Sequence, residues 1–285
     1  MKLSILYRGQ LSSCNYGCWY CPFAKHTETL AEHEVDRLAL ERFVAWVLSR
    51  NQDEISVLFT PWGEALINQR YQQAVIKLTN ASNVEKAVIQ TNLSCRLNWL
   101  KDCDKSRLAL WTTFHPSEIS RKHFLNQCLE LINQNVRFSV GAVGLKEQIS
   151  ELELLRQELP QKIYFWINAY KDKSDYYADE DLARLTAIDP LFPINNQRHA
   201  SLAEPCQAGY SVISVAGDGT VQSCHFIKNK LGNIYDPNFD RVLQKRLCVN
   251  NTCGCHIGYV HLDKLNLYNT FTNGILERIP AQHIW

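Results

Sequence analysis

The chain has 285 residues, 46% of them hydrophobic and 21% charged, with a formal net charge of +1. That balance suits one large globular domain, or a large domain with a small one, and lacks the broad basic footprint of a nucleic-acid partner. No apolar run approaches a membrane span, and Leu3–Tyr7, stopped by Arg8, is too short for a signal peptide, so the expected setting is the cytoplasm.

Leu3–Arg8 reads as the first strand. Behind it comes Cys14-Asn15-Tyr16-Gly17-Cys18-Trp19-Tyr20-Cys21-Pro22, a C-x3-C-x2-C run. Thiolates are soft ligands that select iron–sulfur clusters, zinc or copper(I). Three of them on a four-iron cube leave one iron open, and an open position is a place for chemistry. A zinc knot is the alternative. Zinc sites usually show two C-x2-C pairs, and here only Cys18 and Cys21 form one.

Leu30–Leu48 follows as a helix, with Leu38, Leu40, Phe43, Val44, Trp46, Val47 and Leu48 as its apolar face. The next strands are Ile55–Thr60, Lys86–Thr91, Leu108–Thr113, Arg137–Val143 and Ile163–Ala169. Helical segments fall at Ile67–Leu78, Glu118–Asn133, Lys146–Glu158 and Asp179–Ile188. The alternation argues an α/β fold with a parallel sheet and helical crossovers. Six units suggest an open, partial (β/α)6 TIM-like barrel over residues 1–190. In such folds the sites lie at the C-terminal ends of the strands. The cysteine run, Pro61-Trp62-Gly63-Glu64, Gln90-Thr91-Asn92 and Thr113-Phe114-His115-Pro116 all leave strands at that end.

Pro190–Ala203 reads as a connection. Tyr210–Val221 then alternates β-formers around Gly217-Asp218-Gly219, the pattern of a hairpin. Residues 204–285 form a small cysteine-rich hairpin extension carrying Cys206, Cys224, Cys248, Cys253 and Cys255. A zinc ribbon is one reading of that set. Cys95, Cys103 and Cys128 are isolated and read as small buried hydrophobes.

The first cysteine run, with aromatic Tyr20 before its last cysteine, resembles the signature of the radical S-adenosylmethionine (radical SAM) enzymes. The resemblance implies a [4Fe-4S] cluster on Cys14, Cys18 and Cys21, with SAM chelating the open iron. One electron then cleaves the sulfonium, and the 5′-deoxyadenosyl radical abstracts hydrogen from a substrate. Gly63-Glu64 resembles the family's glycine–glutamate motif for the SAM amino group, with Trp62 where a first glycine is usual. The resemblance also assigns Gln90, Asn92, Thr113, His115, Val143, Gly144 and Asn168 to the cofactor, with Tyr20 against adenine. For each of these the plain alternative is a turn, a helix cap or packing.

Cys206 to Tyr259 resembles the twitch, or abbreviated SPASM, extension of the same family. It implies one auxiliary iron–sulfur cluster, [4Fe-4S] by analogy, on Cys206, Cys224 and two of Cys248, Cys253 and Cys255. Cys253 and Cys255 are the favoured pair. The implied partners are a reductant such as a flavodoxin or ferredoxin, and a small-molecule or peptide substrate. The rival class is a non-catalytic iron–sulfur protein for electron transfer or assembly.

Overall fold

The computed structural model describes residues 1–23 and 27–284, a mixed α/β structure built on one large sheet. Strands β1 (Lys2–Arg8), β2 (Glu54–Phe59), β3 (Val84–Thr91), β4 (Leu108–Phe114), β5 (Arg137–Val143) and β6 (Phe165–Asn168) run parallel in that spatial order. Helices α1 (Leu30–Ser49), α2 (Gln69–Thr79), α3 (Arg121–Asn133), α4 (Ile149–Glu158) and α5 (Asp179–Ile188) pack on one face. Alternation within each strand supplies that face: Leu3, Ile5 and Tyr7 point to the helices and Leu6 to the other side. A 3₁₀ turn, Asn98–Asp102, stands between β3 and β4 where the other parallel strands have a helix.

Helix α1 starts at a capping box, with Thr29 accepting from the Glu32 backbone and the Glu32 carboxylate returning to Thr29. Its buried stripe is Asp36, Leu40, Phe43, Val44 and Val47. Leu38 and Leu48, expected on the apolar face, are exposed because the 3.6-residue repeat carries them past its edge.

Pro190–Ala203 is more than a connection. It contains α6 (Phe192–Asn195) and β7 (His199–Ala200). Buried Asn195 accepts from the Ala169 backbone at 2.6 Å and donates to Tyr259 Oη at 2.9 Å, tying the β6 exit to the C-terminal region. Strands β8 (Pro205–Cys206), β9 (Val212–Ala216), β10 (Thr220–Gln222) and β11 (Lys230–Asn233) follow. Strand β9 pairs parallel with β1, while β10 and β11 add antiparallel neighbours beyond it. The sheet therefore has nine strands, ordered β11-β10-β9-β1-β2-β3-β4-β5-β6. At the β9–β10 turn Gly219 has φ +84°, and a Cβ there would lie 2.4 Å from the Tyr235 ring.

Strands β12 (Arg246–Leu247) and β13 (Thr252–Cys253) pair with β8 and β7. Helices α7 (His256–Tyr259) and α8 (Leu267–Phe271) then cross the second face of the sheet. Leu6, Leu58, Val88, Trp111, Tyr164 and Trp166 pack there against Ile257, Tyr259, Leu262, Leu267 and Phe271. Cys95, Cys103 and Cys128 are buried, as the sequence led one to expect. No described helix is long and apolar enough to cross a membrane.

Candidate active site and cysteine chambers

The loop leaving β1 is held by two carboxylates. Asp36, wholly buried on α1, accepts from the backbone N–H groups of Gln10 and Leu11 at 3.1 and 3.0 Å, and from Tyr71 Oη at 2.9 Å. It also pairs with Arg70 at 3.0 Å. Glu28 accepts from the Ser12 backbone at 2.7 Å and from Ser13 Oγ at 2.6 Å. The loop is then stitched to the β2 exit, where Trp62 N–H donates to the Leu11 carbonyl and Glu64 N–H to the Ser13 carbonyl. Gly63 is required by that approach, since a Cβ would stand 1.7 Å from Ser13 O. Its role here is to admit a carbonyl of the cysteine loop.

Glu64 is buried and accepts three hydrogen bonds: Leu66 N–H at 3.0 Å, Thr91 Oγ1 at 2.9 Å and Asn92 N–H at 2.5 Å. Burial pushes its carboxyl up to about 7, against the pull of those three donors. Asn92 Nδ2 reaches Asn15 Oδ1 at 3.1 Å and Cys14 Sγ at 3.9 Å, so the β3 exit also touches the cysteine loop. At the β4 exit His115 Nδ1 lies 2.8 Å from Tyr20 Oη and 3.5 Å from Cys18 Sγ. Burial pushes His115 down to about 4 and Cys18 up to about 11.

These exits surround one cavity of about 320 Å³. Its lining includes Cys14, Cys18, Cys21, Gly63, Glu64, Gln90, Asn92, Thr113, His115, Val143 and Asn168. Tyr20 instead borders the adjoining cavity with Tyr170 and Lys171, its ring stacked on His115 at 6.1 Å. Gly144 lines neither; a Cβ there would meet Ile167 and Tyr177 at 2.9 and 3.0 Å, so its glycine serves packing beneath α5. Gly141 makes room for Trp166, whose ring would lie 2.0 Å from an added Cβ. Trp111, Trp166, His256, Ile257 and Arg278 close the cavity, and none of them was singled out for it from the sequence. They belong to strand interiors and to a segment over a hundred positions away, where no local pattern marks them.

The C-terminal cysteines divide. Cys206, Cys224, Cys248 and Cys253 line a second chamber of about 140 Å³. Cys255 lines the main cavity and, together with Cys253, its neighbour. Burial raises the thiols of Cys206, Cys224, Cys253 and Cys255, to about 12 for Cys224 and Cys253. Among the described residues, no three His, Cys, Asp or Glu side chains converge tightly enough for a single metal ion.

No family model matches the sequence, and no curated protein matches it. Solved structures do. A structure described as native anSMEcpe with bound AdoMet and a Cp18Cys peptide superposes with a TM-score of 0.57 at 16% identity, covering 85% of this chain and 80% of that one. The complex with a Kp18Cys peptide gives 0.57 at 15% identity, over 86% and 81%. The chain has the fold of anSMEcpe. At this identity the likeness speaks for the fold alone.

Proposed function

We propose that the protein is a radical SAM enzyme, with a [4Fe-4S] cluster on Cys14, Cys18 and Cys21, SAM in the main cavity, and one auxiliary iron–sulfur cluster. The observation that carries this reading is the meeting of three loop cysteines with the exits of β2 to β6 around one cavity. The fold adds support, since the anSMEcpe structures were solved with AdoMet bound. The donor set fits: three soft thiols on one braced loop, Cys14 and Cys21 half-buried and Cys18 buried, all lining the cavity. The cluster and SAM, when bound, supply one-electron cleavage of the sulfonium and the 5′-deoxyadenosyl radical.

The chain's residues do the rest. Glu64, balanced near neutrality by burial, ionises fully beside an ammonium group and so favours the amino end of SAM. Asn92 and His115 orient the cysteine loop through Asn15, Cys14 and Tyr20. Val143 and Asn168, with Gln90 and Thr113, present the remaining wall to the nucleoside. Trp111, Trp166 and Ile257 keep water from the reacting centre. The auxiliary cluster belongs to the four-cysteine chamber, held by Cys206, Cys224, Cys248 and Cys253. That set replaces the favoured Cys253 and Cys255 pair, because Cys255 faces the other cavity. In this reading residues 1–190 are the open six-unit barrel, and residues 204–285 the auxiliary region built onto its edge. The substrate is a small molecule or a peptide, the reductant a flavodoxin or ferredoxin, and the setting the cytoplasm.

Anaerobic reconstitution followed by dithionite and SAM tests the reading. Formation of 5′-deoxyadenosine and methionine, abolished when Cys14, Cys18 and Cys21 are replaced by Ala, is the expected result. Intact SAM beside a fully loaded protein would mark an electron carrier instead.

A further inference from the structure

Arg278 is 2% exposed and lines the main cavity. Its guanidinium carbon lies 4.6 Å from the Trp166 ring centre and 5.9 Å from that of Trp111. Trp166 Nε1–H donates to Ser139 Oγ at 3.1 Å, and Ser139 donates to the Glu277 carbonyl at 2.7 Å, so the segment carrying Arg278 is pinned to the sheet. Arg278 itself has φ +55°, a left-handed conformation that a bulky residue keeps only where surrounding contacts impose it.

Neither neighbouring carboxylate forms an ion pair with Arg278: Glu277 pairs through Oε1 with Lys86 at 2.6 Å and Arg137 at 2.7 Å, and its Oε2 has no partner among the described residues. Asp189 feels the Arg278 charge, yet its oxygens accept from Tyr164 Oη, Ile167 N–H and Leu191 N–H at 2.6, 2.8 and 2.9 Å. Among the described residues Arg278 has no ion-pair partner, and its Nε no hydrogen-bond acceptor. Beside it His256, 3% exposed, has Nε2 equally without a partner. Buried polar groups are normally satisfied, and an unpaired buried cation is costly. Two such groups on one cavity wall call for a ligand that brings acceptors.

We propose that Arg278, with His256 beside it, forms a carboxylate-binding subsite for the substrate on the floor of the main cavity. The proposal rests on reading that cavity as the reaction chamber. Trp111 precedes Thr113, and Trp166 precedes Asn168, by two residues on the same strand face. At roughly 3.3 Å per residue the floor lies about 7 Å below the strand exits where the cysteine loop sits. The subsite is thus separate from the SAM end. A single guanidinium fork matches one carboxylate, whereas a phosphate dianion on this tryptophan-walled floor would keep an uncompensated charge. The indole walls favour a flat apolar body behind the carboxylate.

Calorimetric titration of the reconstituted holoenzyme, with and without SAM, tests this, using benzoate, its neutral isostere benzamide and inorganic phosphate as probes. Benzoate binds tighter than the other two, R278Q weakens it about tenfold or more, and R278K retains part of the affinity. Absence of benzoate binding, equal affinity for benzamide or phosphate, wild-type affinity in R278Q, or displacement of benzoate by SAM would each overturn the subsite. Should R278Q not fold, the benzoate–benzamide comparison on the wild type decides. Assay of 5′-deoxyadenosine on the same wild-type sample separates the two readings. Its absence with charge-selective benzoate binding removes the radical SAM reading alone. Its presence without that selectivity removes the subsite alone.

Discussion

At Gly63 an added methyl would stand 1.7 Å from the Ser13 carbonyl, on backbone that cannot swing aside. Overpacking of this kind costs ~1–3 kcal/mol. Gly63→Ala therefore lowers the melting temperature and loosens the cysteine loop, so iron retained after desalting falls with it. An unchanged melting temperature would show that the loop can shift. Glu64 makes a second case at this scale. Burial raises its carboxyl from the ordinary 4.5 to about 7, so the folded chain binds more protons than the unfolded one between those values. Its contribution is complete below pH 4.5 and is lost as the pH rises through 7, about 3 kcal/mol in all. Denaturant midpoints of the metal-free protein at pH 5 and pH 8 then differ more for the wild type than for Glu64→Gln. Parallel slopes would refute the assignment.

Elements bring the distant cysteines together. Strand β8 carries Cys206 opposite Arg246 on β12, one step from Leu247 and two from Cys248. Strand β13 places Cys253 opposite His199 on β7, and the chain then turns, sending Cys255 into the main cavity. In a background lacking Cys14, Cys18 and Cys21, Cys248→Ser loses the auxiliary iron while Cys255→Ser keeps it. Iron analysis with electron paramagnetic resonance after anaerobic reconstitution checks both. Retention of iron in Cys248→Ser, with loss in Cys255→Ser, would reverse the assignment of the chamber.

Across the whole molecule the C-terminal region completes the core. Strand β9 covers the edge of β1, and α7 and α8 bury the face carrying Leu6, Leu58, Val88, Trp111 and Trp166. A fragment of residues 1–203 would expose that face and leave the β1 edge unpaired. It is expected to lose near-ultraviolet dichroism and to bind an apolar dye, the marks of a collapsed state without fixed packing. A cooperative melting transition in the fragment would contradict this.

Most of the strand and helix order was legible in the chain, because alternation and 3.6-residue periodicity are local properties of consecutive residues. The three loop cysteines were legible for the same reason, being within eight positions of one another. The strand-end rule named residues at the exits of β1 to β4 that the fold does gather around one cavity. Other parts follow from contacts between segments far apart. Asp36 shares a helix stripe with apolar residues, and only the folded loop shows that its carboxylate is filled by backbone donors. That Cys248 and Cys253 line the chamber with Cys206 and Cys224, and Cys255 does not, turns on two short strand pairings that their spacing does not specify. Arg278 looks like any surface arginine until α7, β4 and β6 enclose it, because a charge acquires meaning from the partners that packing supplies or withholds.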